Sequence, residues 1–202
     1  MELKEAVVRR RSVRKFKSTP IAEDILLKML TAAQLAPSGG NGQSHLFGVV
    51  NDEATKLELA RAAGNQMWIA QAPVIFACCA ELDGLIADLP ADDFGLVVNK
   101  LRFGDGFIDY LRAYPDKLAV QTLFDNSVPL IPAEHICLTA VAHGLSACFI
   151  GYLDVKRAGK ILHLPPNRVC LFLLPVGYSD EIPRPIRRKA IEEISFRNTF
   201  HA

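Results

Sequence analysis

Arginine and serine side chains that suit a phosphate group lie close together near the N-terminus. Residues 9–14 read Arg-Arg-Arg-Ser-Val-Arg, so guanidinium groups alternate with a hydroxyl. Arginine presents paired N–H donors to phosphate oxygens, and serine adds a neutral donor. A phosphate monoester carries about 1.5 to 2 negative charges at neutral pH. The spacing leaves two interpretations open, the solvated basic face that a charge run usually forms and a phosphate site.

A glycine-rich loop is the second candidate. Residues 37–43 read Pro-Ser-Gly-Gly-Asn-Gly-Gln, where missing side chains would let the backbone approach a planar ligand. Ser38 and Asn41 would then act as polar contacts, but the composition favours a plain turn that closes a helix, and the ligand loop is the alternative. The loop lacks the Gly-Lys-Ser/Thr ending of an NTPase phosphate loop, and the chain has no G-x-G-x-x-G. Neither an NTPase nor a Rossmann protein is predicted.

Metal-ligating and hydrolytic patterns are absent from the sequence. The five histidines and five cysteines form no C-x-x-C and no H-E-x-x-H, and no G-x-S-x-G occurs. Zinc sites and nucleophile elbows need such spacings. We therefore predict no metal and name no catalytic acid, base or nucleophile.

Composition narrows the class of protein. The chain has 202 residues, a net charge of +1 and 50% hydrophobic residues, which is typical of a globular protein. The small net charge argues against a nucleic-acid binder, although a basic arm for nucleic acid is a weaker alternative. Twelve of the 23 Lys and Arg residues fall within residues 1–17 and 182–197. A compact anion is the ligand that such clusters would suit, if the fold brings them together.

Cysteine content and hydropathy bear on location. An odd number of cysteines in apolar surroundings favours the reducing cytoplasm over a disulfide framework. The charged N-terminus does not resemble a signal peptide. Residues 136–153 carry no formal charge and reach the length of a membrane span, but Gly144 divides them. A buried helix followed by a strand explains this stretch better, so we predict no membrane association.

The elements that must position these residues alternate between helix and strand. A helix is predicted to start near Thr19-Pro20 and to end at Ala36-Pro37. Strands are predicted at His45–Val50, Ala72–Ala80, Ala147–Ile150 and Val169–Val176. We expect one domain over residues 1–202, with a polar tail at 179–202. Residues 83–128 are predicted to form a helical insert whose helices are connected at 104–106 and 114–115.

Several segments together resemble the FMN-dependent nitroreductase family. Residues 10–16 resemble its R-R-S-x-R-x-F motif, and residues 36–43 resemble its A-P-S-x-x-N-x-Q loop. Gln66 before Ala-Pro-Val at 72–74 and the G-L-x-x-x-x-I-G of 144–151 are similar to later family segments. Pro-Val-Gly-Tyr at 175–178 and R-K-x-x-E-E at 188–193 complete the series in register.

The resemblance implies an α+β nitroreductase-like fold and a specific set of ligand contacts. The expected fold is a central, mostly antiparallel sheet of about four to five strands, flanked by helices, in a homodimer with FMN at the subunit interface. Arg10, Ser12 and Arg14 would hold the phosphate and ribityl chain, with help from Arg11. From the tail, Arg188 would reach the same phosphate, with Arg187 as the alternative. The other implied FMN contacts are Pro37, Ser38 and Asn41 from the partner subunit, Gln66 at the pyrimidine edge or ribityl chain, and Ile150 and Gly151 against the ring.

The resemblance also implies an activity. NADH or NADPH would give hydride to the flavin, and a nitroaromatic, quinone or similar small acceptor would then take the electrons in ping-pong order. The insert at 83–128 would roof the pocket. The alternatives are a specialised relative (a reductive dehalogenase, an ene reductase or a flavin-destroying enzyme) and a non-catalytic flavin-binding module. Two departures from the family pattern, Ser44-His45 and Tyr152, lie close to the expected ring site.

Overall fold

A four-stranded antiparallel sheet lies at the centre of the computed structural model, which describes residues 1–82 and 89–200. The strands are β1 (His45–Val50), β2 (Val74–Glu81), β3 (Ser146–Ala147) and β4 (Arg168–Gly177). They are arranged in the order β1-β2-β4-β3, and every pair is antiparallel. The predicted α+β fold with a mostly antiparallel sheet is confirmed.

Helices cover both faces of this sheet. They are α1 (Leu3–Arg9), α2 (Glu23–Gln34), α3 (Glu53–Ala62), α4 (Phe94–Phe103), α5 (Asp105–Ala113), α6 (Lys117–Asp125), α7 (Leu130–Ala142) and α8 (Val155–Ile161). The side chains of β2 alternate between the two faces, as strand geometry requires. Phe76 packs in the cluster with Met29 of α2 and Ile136 of α7, while Ile75 packs in the cluster with Leu59 of α3. This double covering explains why β2 is apolar from Val74 to Ala80.

The predicted start of the second helix was wrong. It was placed near Thr19-Pro20, but α2 begins at Glu23, with Ala22 as its N-terminal cap residue. The reason lies in the preceding chain, because the Lys17 N–H donates to the Tyr178 carbonyl at 2.9 Å and keeps this part extended. Buried Ile21 then enters the core before the helix starts.

The strand predicted at residues 147–150 is shorter than expected. β3 comprises only Ser146 and Ala147, and Ile150 forms a single antiparallel bridge to Leu173. The insert at 83–128 is helical where it is described, and its first joint is at Gly104, whose φ of +83° ends α4. Residues 83–88 of that insert and 201–202 of the predicted tail lie outside the described residues.

The uncharged stretch at 136–153 is divided between two elements. α7 ends at Ala142, Gly144 follows with a φ of +78°, and β3 begins two residues later. In the described ranges, no helix combines the length and the apolarity that crossing a bilayer needs.

Candidate functional site

The basic N-terminal segment, residues 9–17, is attached to the edge of the sheet. Ser12 forms a parallel bridge with Ala147 of β3, and the Val13 N–H donates to the Ala147 carbonyl at 3.2 Å. Val13 and Phe16 are buried, and the Phe16 ring stacks on Trp68 with 6.5 Å between ring centroids. The Val13 side chain points inward, and Ser12 and Arg14 on either side of it are exposed.

The segment that follows β4 runs antiparallel to this N-terminal segment. Phe16 forms a bridge with Ser179, and the Asp180 N–H donates to the Lys15 carbonyl at 2.9 Å. The Lys15 and Asp180 side chains also form a 3.0 Å ion pair, which stabilises little because both are largely exposed. The two ends of the chain, each with a basic cluster, are therefore brought side by side.

A cavity of about 530 Å³ opens where the two ends meet. Its lining comes from both ends: Arg11, Ser12, Arg14, Glu181, Ile182, Pro183, Arg184, Pro185 and Ile186. The Arg14 and Arg184 guanidinium groups have no hydrogen-bond or ion-pair partner among residues 1–82 and 89–200. Arg11 differs, because its Nη1 donates to the Val8 and Arg10 carbonyls at 2.7 Å each and caps α1. Two free guanidinium groups and the exposed Ser12 hydroxyl thus face one concave surface, a chemistry that suits an anion.

Arg10 lies on the other side of the segment, toward α7. Burial raises the pKa of the Glu134 carboxyl on α7, and the Arg10 charge opposes this rise. Burial likewise raises the pKa of Cys137 to about 12, and the pKa of Cys148 is also raised. Arg14, the Ser12 hydroxyl and Arg10 all act to lower the pKa of Cys148. Arg10, Ser12 and Arg14 thus all act on the Cys148 thiol, whose pKa burial raises.

Two unused backbone donors follow β3. The Ile150 N–H donates to the Leu173 carbonyl at 2.9 Å, and the Ile150 carbonyl accepts the Leu173 N–H at 3.1 Å. In the part of the chain that the structure describes, the N–H groups of Gly151 and Tyr152 have no protein acceptor, and both residues are exposed. Donors for a ligand are therefore available at 151 and 152, and the Ile150 N–H is engaged within the sheet.

Tyr152 packs on the turn before Gln66. Tyr152 is 76% exposed, yet a Cβ built on Gly64 would lie 2.2 Å from the Cε1 atom of its ring. Gly64 and Asn65 have φ values of +71° and +58°, and the Gln66 Nε2 donates to the Ala63 carbonyl at 2.8 Å. The Gln66 amide oxygen is left available for a ligand. Gly64 is required here both for its backbone conformation and for its lack of a side chain.

The glycine-rich loop at 37–43 is separate from the cavity. Gly40 and Asn41 adopt φ values of +56° and +57°, and the Gln43 N–H donates to the Ser38 Oγ at 3.1 Å. Pro37 and Asn41 are exposed, and no residue of the loop lines the 530 Å³ cavity. The Phe94 ring at the start of α4 lies 3.7 Å from where a Cβ on Gly40 would be, so the insert reaches this loop.

The structure thus brings some predicted residues together and separates others. Arg10, Arg11, Ser12 and Arg14 share one segment, while exposed Arg188 does not line the cavity and Arg184 does. The role of Arg188 stays a prediction. Sequence reasoning missed Glu181 and did not single out Arg184. Membership of the C-terminal basic cluster was a signal for Arg184, but nothing local indicates that Glu181 contacts Arg14, 167 positions earlier.

Comparison with known proteins gives a consistent picture. A model described as the nitroreductase family matches residues 7–178. An NADH dehydrogenase from Thermus thermophilus is 29% identical over 205 residues, which are 96% of this chain and 95% of that protein. An FMN reductase [NAD(P)H] from Bacillus subtilis is 35% identical over 82 residues, 41% of this chain and 33% of that protein. The structure of an NADPH:FMN oxidoreductase from Vibrio harveyi, complexed with NAD+, superposes with a TM-score of 0.73 at 22% identity, covering 99% of this chain and 78% of that one. At that identity, the likeness shows the fold alone.

Proposed function

The chain belongs to the nitroreductase family, and from this premise we propose that it is an FMN-dependent oxidoreductase that takes hydride from NADH or NADPH. Its relatives with the names NADH dehydrogenase and FMN reductase [NAD(P)H] support an oxidoreductase of this type. We propose nitroaromatics, quinones or similar small molecules as acceptors, reduced in ping-pong order.

The observation that carries the proposal is the cavity between the two ends of the chain. The free guanidinium groups of Arg14 and Arg184, with the Ser12 hydroxyl, fit a phosphate ester, which carries about 1.5 to 2 negative charges. Arg10 adds positive charge from the α7 side. In this proposal, Arg188 joins the same phosphate from the tail, and Arg11 contributes mainly through its backbone.

The residues after β3 fit the other end of the cofactor. The unpaired N–H groups of Gly151 and Tyr152 are suited to acceptor atoms on a flavin ring, and Ile150 would lie against its face. The free Gln66 amide oxygen fits a donor on the pyrimidine edge or the ribityl chain. When bound, the flavin would accept hydride from NADH or NADPH and pass the electrons to an acceptor that enters after the nicotinamide has left. The chain itself would bind and orient, and we assign no catalytic acid or base.

Exposed apolar residues support a homodimer. Every residue from 180 to 200 is exposed, and Ile182 is 95% exposed. The large apolar side chains of this tail are Ile182, Ile186, Ile191, Ile194, Phe196 and Phe200. Such a surface is typical of a segment that packs on another molecule. In the dimer, Pro37, Ser38 and Asn41 of one protomer would approach the flavin held by the other.

The cysteines bear on where the protein works. All five are free thiols and all are buried. Thiols persist in this form in a reducing compartment. We therefore propose a cytoplasmic, single-domain enzyme over residues 1–202.

A visible spectrum and a turnover assay together test the proposal. Purified protein incubated with FMN and freed of excess flavin should be yellow, and it should oxidise NADH or NADPH when a quinone or nitroaromatic is added. Protein that stays colourless after incubation would contradict FMN binding. Bound flavin without acceptor-dependent turnover would favour the non-catalytic binding module. Turnover only with a halogenated or ene substrate would favour a specialised relative.

A further inference from the structure

One carboxylate lies in the cavity that we assign to the flavin phosphate. Glu181 Oε1 accepts the backbone N–H of Arg14 at 2.6 Å, and Glu181 lines the cavity together with three arginines. Its negative charge also reaches Cys148 beneath the segment, where it opposes the effect of Arg14. A negative charge at a phosphate site needs an explanation, because it repels the ligand.

The carboxylate is held in this place by its backbone. The Ser179 Oγ donates to the Glu181 carbonyl at 2.6 Å and accepts the Glu181 N–H at 3.2 Å. The bond from Arg14 joins the first residues of the chain to those after β4, so Glu181 also forms part of the cavity wall. Its position is therefore set by the fold, and a phosphate that enters the cavity meets its charge.

We propose that Glu181 tunes the affinity and selectivity of this cavity for phosphate esters. Its hydrogen bond holds the wall beside Arg14, while its charge offsets part of the attraction from Arg11, Arg14 and Arg184. The inference rests on the proposed function and specifies how the same site distinguishes FMN from riboflavin, which has no phosphate. Without Glu181, the flavin phosphate would bind more tightly and FMN would exchange more slowly.

The variant Glu181→Gln isolates the charge from the hydrogen bond, because the amide oxygen can still accept the Arg14 N–H. The neighbouring residue provides a matched control, Asp180→Asn, which removes one carboxylate charge outside this cavity. Asp180 pairs with Lys15 at 3.0 Å and lines a separate cavity that also contains Phe16 and Lys17. Glu181→Ala removes both the charge and the bond.

The test is a titration of flavin fluorescence with wild-type and variant proteins, using FMN and riboflavin. Glu181→Gln should bind FMN about threefold or more tightly at low salt, with less difference at high salt because exposed charges are screened. Its affinity for riboflavin should be unchanged, and Asp180→Asn should bind FMN like the wild type. Glu181→Ala, which also loses the bond that holds the wall, should bind FMN less tightly than Glu181→Gln.

Several results would overturn the inference. These are unchanged or weaker FMN binding by Glu181→Gln, an equal gain for riboflavin, an equal gain in Asp180→Asn, or FMN binding by Glu181→Ala that is as tight as that of Glu181→Gln. A wild-type protein that binds no FMN would instead contradict the proposed function. The two failures can therefore be told apart by the wild-type titration alone.

Discussion

The two basic ends of the chain carry similar side chains but are held in different ways. The N-terminal segment, residues 9–17, pairs with β3 and buries Val13 and Phe16. The tail at 182–200 is exposed throughout, and it contains local hydrogen bonds such as that from the Ala190 N–H to Glu193 Oε2. One end is therefore built into the protomer, and the other shows the surface expected of a segment that packs on a second copy.

This difference indicates how the site is assembled. The fold of a single chain fixes Ser12 and Arg14 beside β3, so this half of the proposed phosphate site is formed in advance. The contribution of the tail beyond Ile186, which includes Arg188, depends in our account on contacts that one protomer does not supply. Substitutions in the first half should therefore have larger effects than those in the second.

The junction between the two ends should be the most sensitive point. A Cβ on Gly177 would lie 2.5 Å from the Cδ of Pro73 and 3.1 Å from the Cδ1 of Phe16, and neither ring can move freely. Gly177→Ala should lower the free energy of unfolding by about 2–3 kcal/mol. Thermal unfolding should show a fall in Tm of about 5–10 °C.

A glycine in open space provides the control for this substitution. Gly106 of α5 has no atom within 4 Å of a built Cβ, and its φ is not positive. Gly106→Ala should leave the Tm unchanged or raise it slightly, because alanine favours helix. If Gly177→Ala had the same Tm as the wild type, the two ends would not be packed together.

Loss of Arg14 should weaken FMN binding more than loss of Arg188. Hydrogen bonds to charged groups contribute about 1.5–3 kcal/mol, so Arg14→Ala should weaken FMN binding roughly 10- to 100-fold. Arg188→Ala should weaken FMN binding by less than about tenfold. Flavin titration measures both, and Lys15→Ala is the control because Lys15 does not line the cavity. If Arg188→Ala weakened FMN binding more than Arg14→Ala does, the proposed order of the two halves would be wrong.

A smaller effect on stability is expected from Glu134 of α7, whose carboxyl interacts with the Arg10 charge. Burial raises the pKa of Glu134, so this carboxyl binds a proton more readily in the folded chain than in the unfolded one. Its ionisation therefore costs stability as the pH rises through its folded-state pKa. Glu134→Gln should stabilise the fold at neutral pH by less than about 1 kcal/mol, and the gain should vanish at pH values below the ordinary carboxyl pKa.

A double substitution checks the role of Arg10 in that effect. Because the Arg10 charge favours the ionised form of Glu134, the gain from Glu134→Gln should be larger in an Arg10→Ala background. Denaturant unfolding of the wild type, the two single variants and the double variant gives the free energies of unfolding from which the two gains are compared. An identical gain in both backgrounds would mean that Arg10 does not face α7.

The sheet was largely predictable from sequence because its strands have strong local patterns. β1 was predicted with both its ends, and the apolar run at 72–80 marked β2 to within two residues. The joint at Gly104 was predictable because glycine permits a positive φ. The start of α2 was not, since the pairing of Lys17 with Tyr178 that delays it joins residues far apart in sequence.

The candidate site was predictable only in part, for the same reason. Arg10, Ser12 and Arg14 were identified by type and spacing within one short motif. Glu181 and Arg184 reach the cavity because the chain after β4 runs beside the N-terminal segment, and no local pattern encodes that pairing. The Tyr152 N–H, which has no acceptor among residues 1–82 and 89–200, was missed. The sequence does not show that the bridge to Leu173 uses the Ile150 N–H and leaves the Tyr152 N–H unpaired.

Sedimentation velocity tests the central claim most directly, with detection both of protein and of the visible absorbance of flavin. The claim is that FMN binds to a site that two copies complete. The account predicts that, after incubation with FMN, the flavin sediments with a species of about 44 kDa, twice the chain mass of 22.2 kDa. Flavin that stays free, or that sediments with a 22.2 kDa monomer, would contradict it.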